Sequence, residues 1–262
     1  MARRTRDPLT WLFLLWVVAC TAAFEVLLPW HLLWGWLIRR QPLDRVLREH
    51  IWLYGRYLIY GVARPLLKVR VGGCAGIPQG RPVVYVLNHR SAADAYFSAC
   101  YAGPQTLFLV RSWPFRIPVY GWFMRRAGYI DMESLSFSQF AEGPGRRAVE
   151  RGCSLIVFPE GHRSPDGRMQ RFHSGAFEFA ARHGLLVVPV CLKGTERFLP
   201  VENPSVHPAR VEIQVLEPVD PAAYPGHEGV LAMRRQVQAR MRQALGEPAR
   251  AAGEGSHASA RA

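Results

Sequence analysis

The chain has 262 residues with a formal charge of +13, enough for one sizeable buried core and too short for two full domains. Five widely spaced cysteines, Cys20, Cys74, Cys100, Cys153 and Cys191, fit small core residues of a reducing compartment and argue against a disulfide or zinc framework. The charge attracts nucleic acid and anionic lipid equally. No zinc-finger spacing or arginine-glycine repeat supports nucleic acid, and the apolar start of the chain favours lipid.

That start runs from Trp11 to Ile38 and carries five tryptophans, a residue suited to the membrane interface. Arg3, Arg4 and Arg6 precede it; Arg39, Arg40, Arg45 and Arg48 follow it. If both basic flanks stay on the cytoplasmic side, the segment enters and leaves by one face, turning near Pro29. Residues 1–48 are therefore expected to form a membrane anchor, a re-entrant helical hairpin, with a single tilted span as the competing reading. The apolar character continues past Glu25 and Pro29, which argues against a cleaved signal peptide.

Residues 49–245 follow as the main domain. Glu49 to Arg64 predicts an amphipathic helix ended by Pro65. Short apolar strands are expected at 66–71, 83–87, 106–110, near Ile130, at 154–158, 185–190 and 211–216. Helices are expected at 91–100, near Arg126, over 136–151 with a break at Gly143-Pro144-Gly145, at 177–183 and at 228–245. Alternation of strands and helices implies an α/β fold, a central mixed sheet flanked by helices. Residues 246–262 hold nothing apolar enough to pack and are expected to be disordered.

Two stretches carry chemistry. In NHRSAAD, Asn88 to Asp94, a strand runs into a histidine, with an aspartate five positions on. A strand's carboxyl end is where open α/β sheets bind ligands. There Asp94 can fix the tautomer of His89 and leave its other nitrogen free to accept a proton. A histidine at a helix start with a solvent-facing aspartate has the same spacing. In FPEGHRS, Phe158 to Ser164, a carboxylate follows a buried strand: Glu160 can fix the local backbone, hold an arginine or bond an acceptor hydroxyl. Gly161 permits close backbone approach, and Arg163 and Arg111 offer planar donors for an anion. Metal ligation finds only His89 and Asp94 together.

Taken as a set, with VVPV at 187–190 and FHSGAF at 172–177, these blocks resemble the glycerolipid acyltransferases of the 1-acylglycerol-3-phosphate acyltransferase type, over residues 65–217. The resemblance implies transfer of a fatty acyl group from acyl-CoA or acyl-acyl carrier protein to a hydroxyl of a lysophospholipid-like acceptor, with no cofactor and no acyl-enzyme. It implies His89 as general base, Asp94 as its orienting partner, and Glu160 and Gly161 in acceptor binding. It also implies phospholipid biosynthesis at a bacterial inner membrane, with the catalytic domain on the cytoplasmic side. Backbone N–H groups around Asn88 to Ser91 are the expected donors to the tetrahedral oxyanion.

One block departs from the family. Where an arginine for the acceptor phosphate is expected, this chain has Met132, Glu133 and Ser134, and a carboxylate there repels a phosphate. Either Arg111, Arg125 or Arg163 compensates, or the acceptor has another head group, such as a zwitterionic lysophospholipid or lyso-ornithine lipid. A lipid or thioester hydrolase using the same pair to activate water is the alternative chemistry.

Overall fold

The structure, a computed structural model, describes residues 8–164, 167–200 and 205–248. The flank Arg3, Arg4 and Arg6 and the tail beyond residue 248 lie outside the described residues. In chain order the helices are α1 (Pro8–Glu25), α2 (Leu28–Leu33), α3 (Leu43–Tyr57), α4 (Tyr120–Ala127), α5 (Phe137–Glu142), α6 (Pro144–Glu150), α7 (Gly175–His183), α8 (Thr195–Phe198) and α9 (Gly226–Leu245). The strands are β1 (Leu67–Gly72), β2 (Val84–Leu87), β3 (Thr106–Val110), β4 (Ile130–Asp131), β5 (Ser154–Val157), β6 (Val187–Lys193) and β7 (Ala209–Val215).

These strands form one mixed sheet in the order β1-β7-β6-β2-β5-β3-β4. Every neighbouring pair is parallel except β6 with β7. The expected α/β class and all seven strands are present. β2 sits at the centre and shows why it is uniformly apolar. Val84 and Val86 pack on one face with Leu155, Phe140, Phe179 and Met233, while Tyr85 and Leu87 pack on the other with Phe97, Ile156 and Val188. A parallel strand covered on both faces has no solvent side to make polar. α9 lays Val230, Met233, Val237 and Met241 on the first face, so it docks on the core.

Two sequence expectations fail. First, residues 91–100 are not a helix: a turn leads into a 3-10 segment, Tyr96–Cys100. The cause is local, since the carboxylate of Asp94 takes the backbone N–H groups of Arg90 (2.6 Å) and Ser91 (2.8 Å). Such side-chain capture offers the backbone an alternative to a regular helix.

Second, the chain does not reverse near Pro29. α1 and α2 run on as one 31-residue apolar helix, Pro8–Ile38, because a proline in the first turn of α2 forfeits only an N–H that would have no helical partner. Reversal comes at residues 39–42, where Arg40 has φ 50°, and the second arm of the hairpin is α3, which continues to Val62. The arms run antiparallel. Thr21 Oγ1 meets the Tyr54 hydroxyl at 2.8 Å, Trp16 Nε1–H donates to Val62 O at 3.2 Å, and the rings of Phe24 and Tyr57 stack at 5.1 Å. Gly35 is required at the closest approach: a Cβ there would lie 2.6 Å from a Val46 methyl. A boundary after residue 48 thus falls inside α3, and the helix also reaches the sheet domain, where Thr10 Oγ1 accepts the N–H of Val206 at 2.9 Å. The most apolar window of the long helix is only 6% buried, and all five of its tryptophans are exposed. Length and composition allow it to cross a bilayer.

Candidate active site

β2 delivers the histidine loop to the carboxyl edge of the sheet. Asn88, fully buried, locks the loop to β6: its Nδ2 donates to Leu192 O (2.9 Å) and its Oδ1 accepts Leu192 N–H (2.7 Å). The side chain thereby imitates a strand neighbour where the ladder has ended. Ser91 Oγ donates to Leu199 O (2.9 Å), and the His89 carbonyl accepts Ser164 N–H (2.8 Å).

His89 Nδ1 lies 2.9 Å from Asp94 Oδ2, the same oxygen that receives the Arg90 and Ser91 N–H groups. Against a carboxylate Nδ1 carries the proton, which leaves Nε2 with a free lone pair. Asp94 is fully buried, while His89 keeps about a fifth of its side chain exposed and lines a cavity. Phe158 stacks on the imidazole with ring centres 4.1 Å apart and fixes its plane.

The cavity measures about 1050 Å³. Its walls include Phe108, Ile117, Tyr120, Met132, Phe140 and Phe179, and His162, His173, Gly161 and Arg163 border it near His89. Such a space is large and lined mainly by apolar and aromatic side chains, with a few polar groups among them. Its lining comes from strands, helices and loops spread over a hundred residues, so no local sequence signal announces it.

Glu160, expected to contact the acceptor, does not line the cavity. It is buried, with Oε1 accepting His89 N–H (2.8 Å) and Oε2 accepting Gln170 N–H (2.7 Å). Its position makes it a clamp on the backbone of His89, the first of the three roles open to it in the sequence. Burial pushes its pKa up to about 7, against the opposing pull of those two hydrogen bonds. Gly161 does border the cavity and takes φ +75°, a left-handed conformation that favours glycine.

The arginines separate clearly. Arg111 reaches the cavity rim but is paired with Glu133, Nε to Oε1 at 2.5 Å. The hydrogen bond from Ser112 N–H and this guanidinium hold the Glu133 carboxyl below its ordinary range. The unexpected carboxylate in the departing block therefore has its own cation. Arg125 donates to the Phe115 carbonyl and does not line the cavity. Arg163 borders the cavity, exposed, with no hydrogen-bond or ion-pair partner among the described residues.

The expected oxyanion donors also need correction. The N–H groups of His89, Arg90 and Ser91 are all taken by Glu160 or Asp94. A further contact was not legible in the sequence: buried Arg90 pairs with Glu247, which also accepts Met169 N–H at 3.0 Å. Glu247 lies in what composition marks as a disordered tail, and Gly246, at φ +71°, turns it back onto the site. Among the described residues no group of three or more His, Cys, Asp or Glu is placed to hold a metal ion.

Comparison with known proteins adds context to this geometry. Residues 68–193 match the sequence profile of the family described as Acyltransferase. The chain is 33% identical over 145 residues to a chloroplastic 1-acyl-sn-glycerol-3-phosphate acyltransferase of Arabidopsis thaliana, covering 54% of this chain and 40% of the relative. Proteins of the same name from Pseudomonas aeruginosa and Escherichia coli are each 24% identical, over 69% and 76% of this chain and 70% and 81% of theirs. The chain spans less than half the length of the plant and algal relatives at 33–34% identity. The crystal structure of the 1-acyl-sn-glycerophosphate acyltransferase of Thermotoga maritima superimposes with a TM-score of 0.75, covering 90% of this chain and 95% of that one at 24% identity.

Proposed function

We propose, from the match of residues 68–193 to the Acyltransferase family, that the chain is an O-acyltransferase that esterifies the free hydroxyl of a 1-acylglycerol 3-phosphate, using an acyl thioester as donor. The observation that carries this reading is the His89–Asp94 pair, with His89 in the lining of a largely apolar cavity of about 1050 Å³. Nε2 of His89 takes the proton of the acceptor hydroxyl as its oxygen adds to the thioester carbonyl. Collapse of the tetrahedral intermediate breaks the C–S bond, and the departing thiolate takes the proton back from Nε2. The products are an ester and a free thiol. The acceptor, and not a protein side chain, supplies the nucleophile.

Arg163 is the cation suited to the acceptor phosphate, and with His162 it borders the space where the oxyanion forms. The pairing of Glu133 with Arg111 removes the repulsion that its position otherwise implies, which favours a phosphate head group over lyso-ornithine lipid. The donor, acyl-CoA or acyl-acyl carrier protein, is anionic in either form and suits a chain of charge +13. No cofactor enters the scheme. The exposed apolar helix supports a membrane location for the site, in this reading the cytoplasmic face of a bacterial inner membrane.

The test offers the purified chain in vesicles one labelled long-chain thioester with lysophosphatidic acid, zwitterionic lysophospholipids or lyso-ornithine lipid. Label should pass to lysophosphatidic acid fastest. Release of free fatty acid without ester would identify a hydrolase, and preference for an acceptor without phosphate would overturn the head-group assignment.

A further inference from the structure

Between β3 and the end of α4 the chain makes an excursion unlike the rest of the domain surface. Trp113 (62% exposed), Ile117, Val119 (72%), Tyr120 and Trp122 all project into solvent within ten residues. Scattered exposed apolar residues are ordinary, but a contiguous aromatic group marks an interaction surface. Val119, the most exposed of the group, takes φ 63°, which β-branched residues seldom adopt.

The charge around this group is one-sided. Arg116, Arg125 and Arg126 are exposed, Arg126 lies over the Trp122 ring at 5.7 Å, and no acidic residue occurs between Arg111 and Ile130. Tryptophan and arginine together suit the level of lipid head groups, the ring among the acyl ends of the interface and the cation among phosphates. A protein partner of ordinary composition has no need for this uniform charge; an anionic bilayer does.

The position agrees. Trp113, Pro114, Ile117 and Tyr120 also line the cavity, so the patch forms part of its mouth. Helix α4, which begins at Tyr120 and carries Trp122, packs against α3, and the Tyr54 hydroxyl of α3 meets Thr21 on the exposed apolar helix. The patch and that helix thus adjoin through α3.

We propose that residues 111–126 form a second membrane-docking surface, which seats Val119 and Trp122 in the interface of an anionic bilayer and holds the cavity mouth against the lipid. A lipid acceptor then enters the cavity sideways without crossing water. The inference concerns membrane contact alone and does not depend on which acceptor is acylated.

The experiment places the photoreactive residue p-benzoylphenylalanine at one position of the full chain, in vesicles of phosphatidylcholine and phosphatidylglycerol carrying labelled lipid. The positions are Val119, Leu33 on the apolar helix and Arg235 on the exposed face of α9, and unfolding temperatures confirm that each variant is folded. Lipid adducts at Val119 should match those at Leu33 and exceed those at Arg235 by roughly tenfold. Arg116→Glu with Arg126→Glu should lower the Val119 yield, by roughly fivefold for each charge removed, on anionic vesicles and not on pure phosphatidylcholine. Adducts at Val119 no higher than at Arg235 would overturn the proposal, as would adducts formed with a second copy of the chain.

Discussion

Asp94 does two things with one oxygen: Oδ2 orients the imidazole and gathers two backbone N–H groups, while Oδ1 is buried with no partner among the described residues. An asparagine can keep all three hydrogen bonds with its carbonyl and put its NH₂ where Oδ1 lies. Only the negative charge facing the imidazolium is lost. Asp94→Asn should therefore lower kcat about 10²- to 10⁴-fold with KM and the unfolding temperature little changed; a variant that unfolds, or one with wild-type kcat, would show the charge to have another purpose. The spacing of His89 and Asp94 permitted their pairing but equally allowed a solvent-facing aspartate, and it was the resemblance of the blocks taken together that singled the pair out. The task of Glu160 was not, since its partners are backbone groups of His89 and Gln170, which sequence does not bring together. Its pKa, raised to about 7 by burial, has a definite sign. The folded state holds this proton more tightly than the unfolded chain, so the contribution to stability is complete below pH 4.5 and is lost as pH rises through 7. Urea unfolding of wild type and Glu160→Gln across that range should show the wild-type advantage shrinking with pH, by roughly 3 kcal/mol at most. A difference that stays constant or grows would contradict the assignment.

At the scale of elements, strands were read more surely than loops. A buried parallel strand such as β2 is an unbroken apolar run, whereas the 91–100 stretch has a helical composition that Asp94 overrides from within. The apolar helix was visible too, but its turning point was not: a proline near a helix start does not break it, and the reversal at 39–42 brings Gly35 against Val46, a contact between residues that sequence alone does not pair. The end of α9 was the least legible, because Glu247 looks like tail until Arg90 is seen beneath it. That ion pair joins the residue next to the base to the last helix, and Met169 N–H binds the same carboxylate. Removing it strands a buried guanidinium, which costs about 3–5 kcal/mol. Glu247→Ala should lower the unfolding temperature and kcat together, as read by calorimetry and initial rates; an unchanged kcat would mean that the clamp does not reach His89.

Over the whole molecule, a sheet covered on both faces supports a site at its carboxyl edge, and an exposed apolar helix lies alongside through α3. Two surfaces of different kind face outward, the long helix, which packs on α3 through Tyr54 and Tyr57, and the aromatic group around Val119, part of which lines the cavity. Attachment through the helix rests on apolar burial, which salt does not screen, whereas charge attraction falls within a Debye length of about 3 Å at 1 M salt. The chain should therefore stay with vesicles through a 1 M salt wash, as measured by sedimentation. Release into the supernatant would mean that arginines alone hold it there.

The central claim is that Nε2 of His89 takes a proton from a lipid hydroxyl. Single-turnover transfer by His89→Ala, with labelled thioester and saturating lysophosphatidic acid, addresses it directly. The expected result is a rate lower by about 10² to 10⁴ with acceptor binding retained. Transfer at the wild-type rate would contradict it.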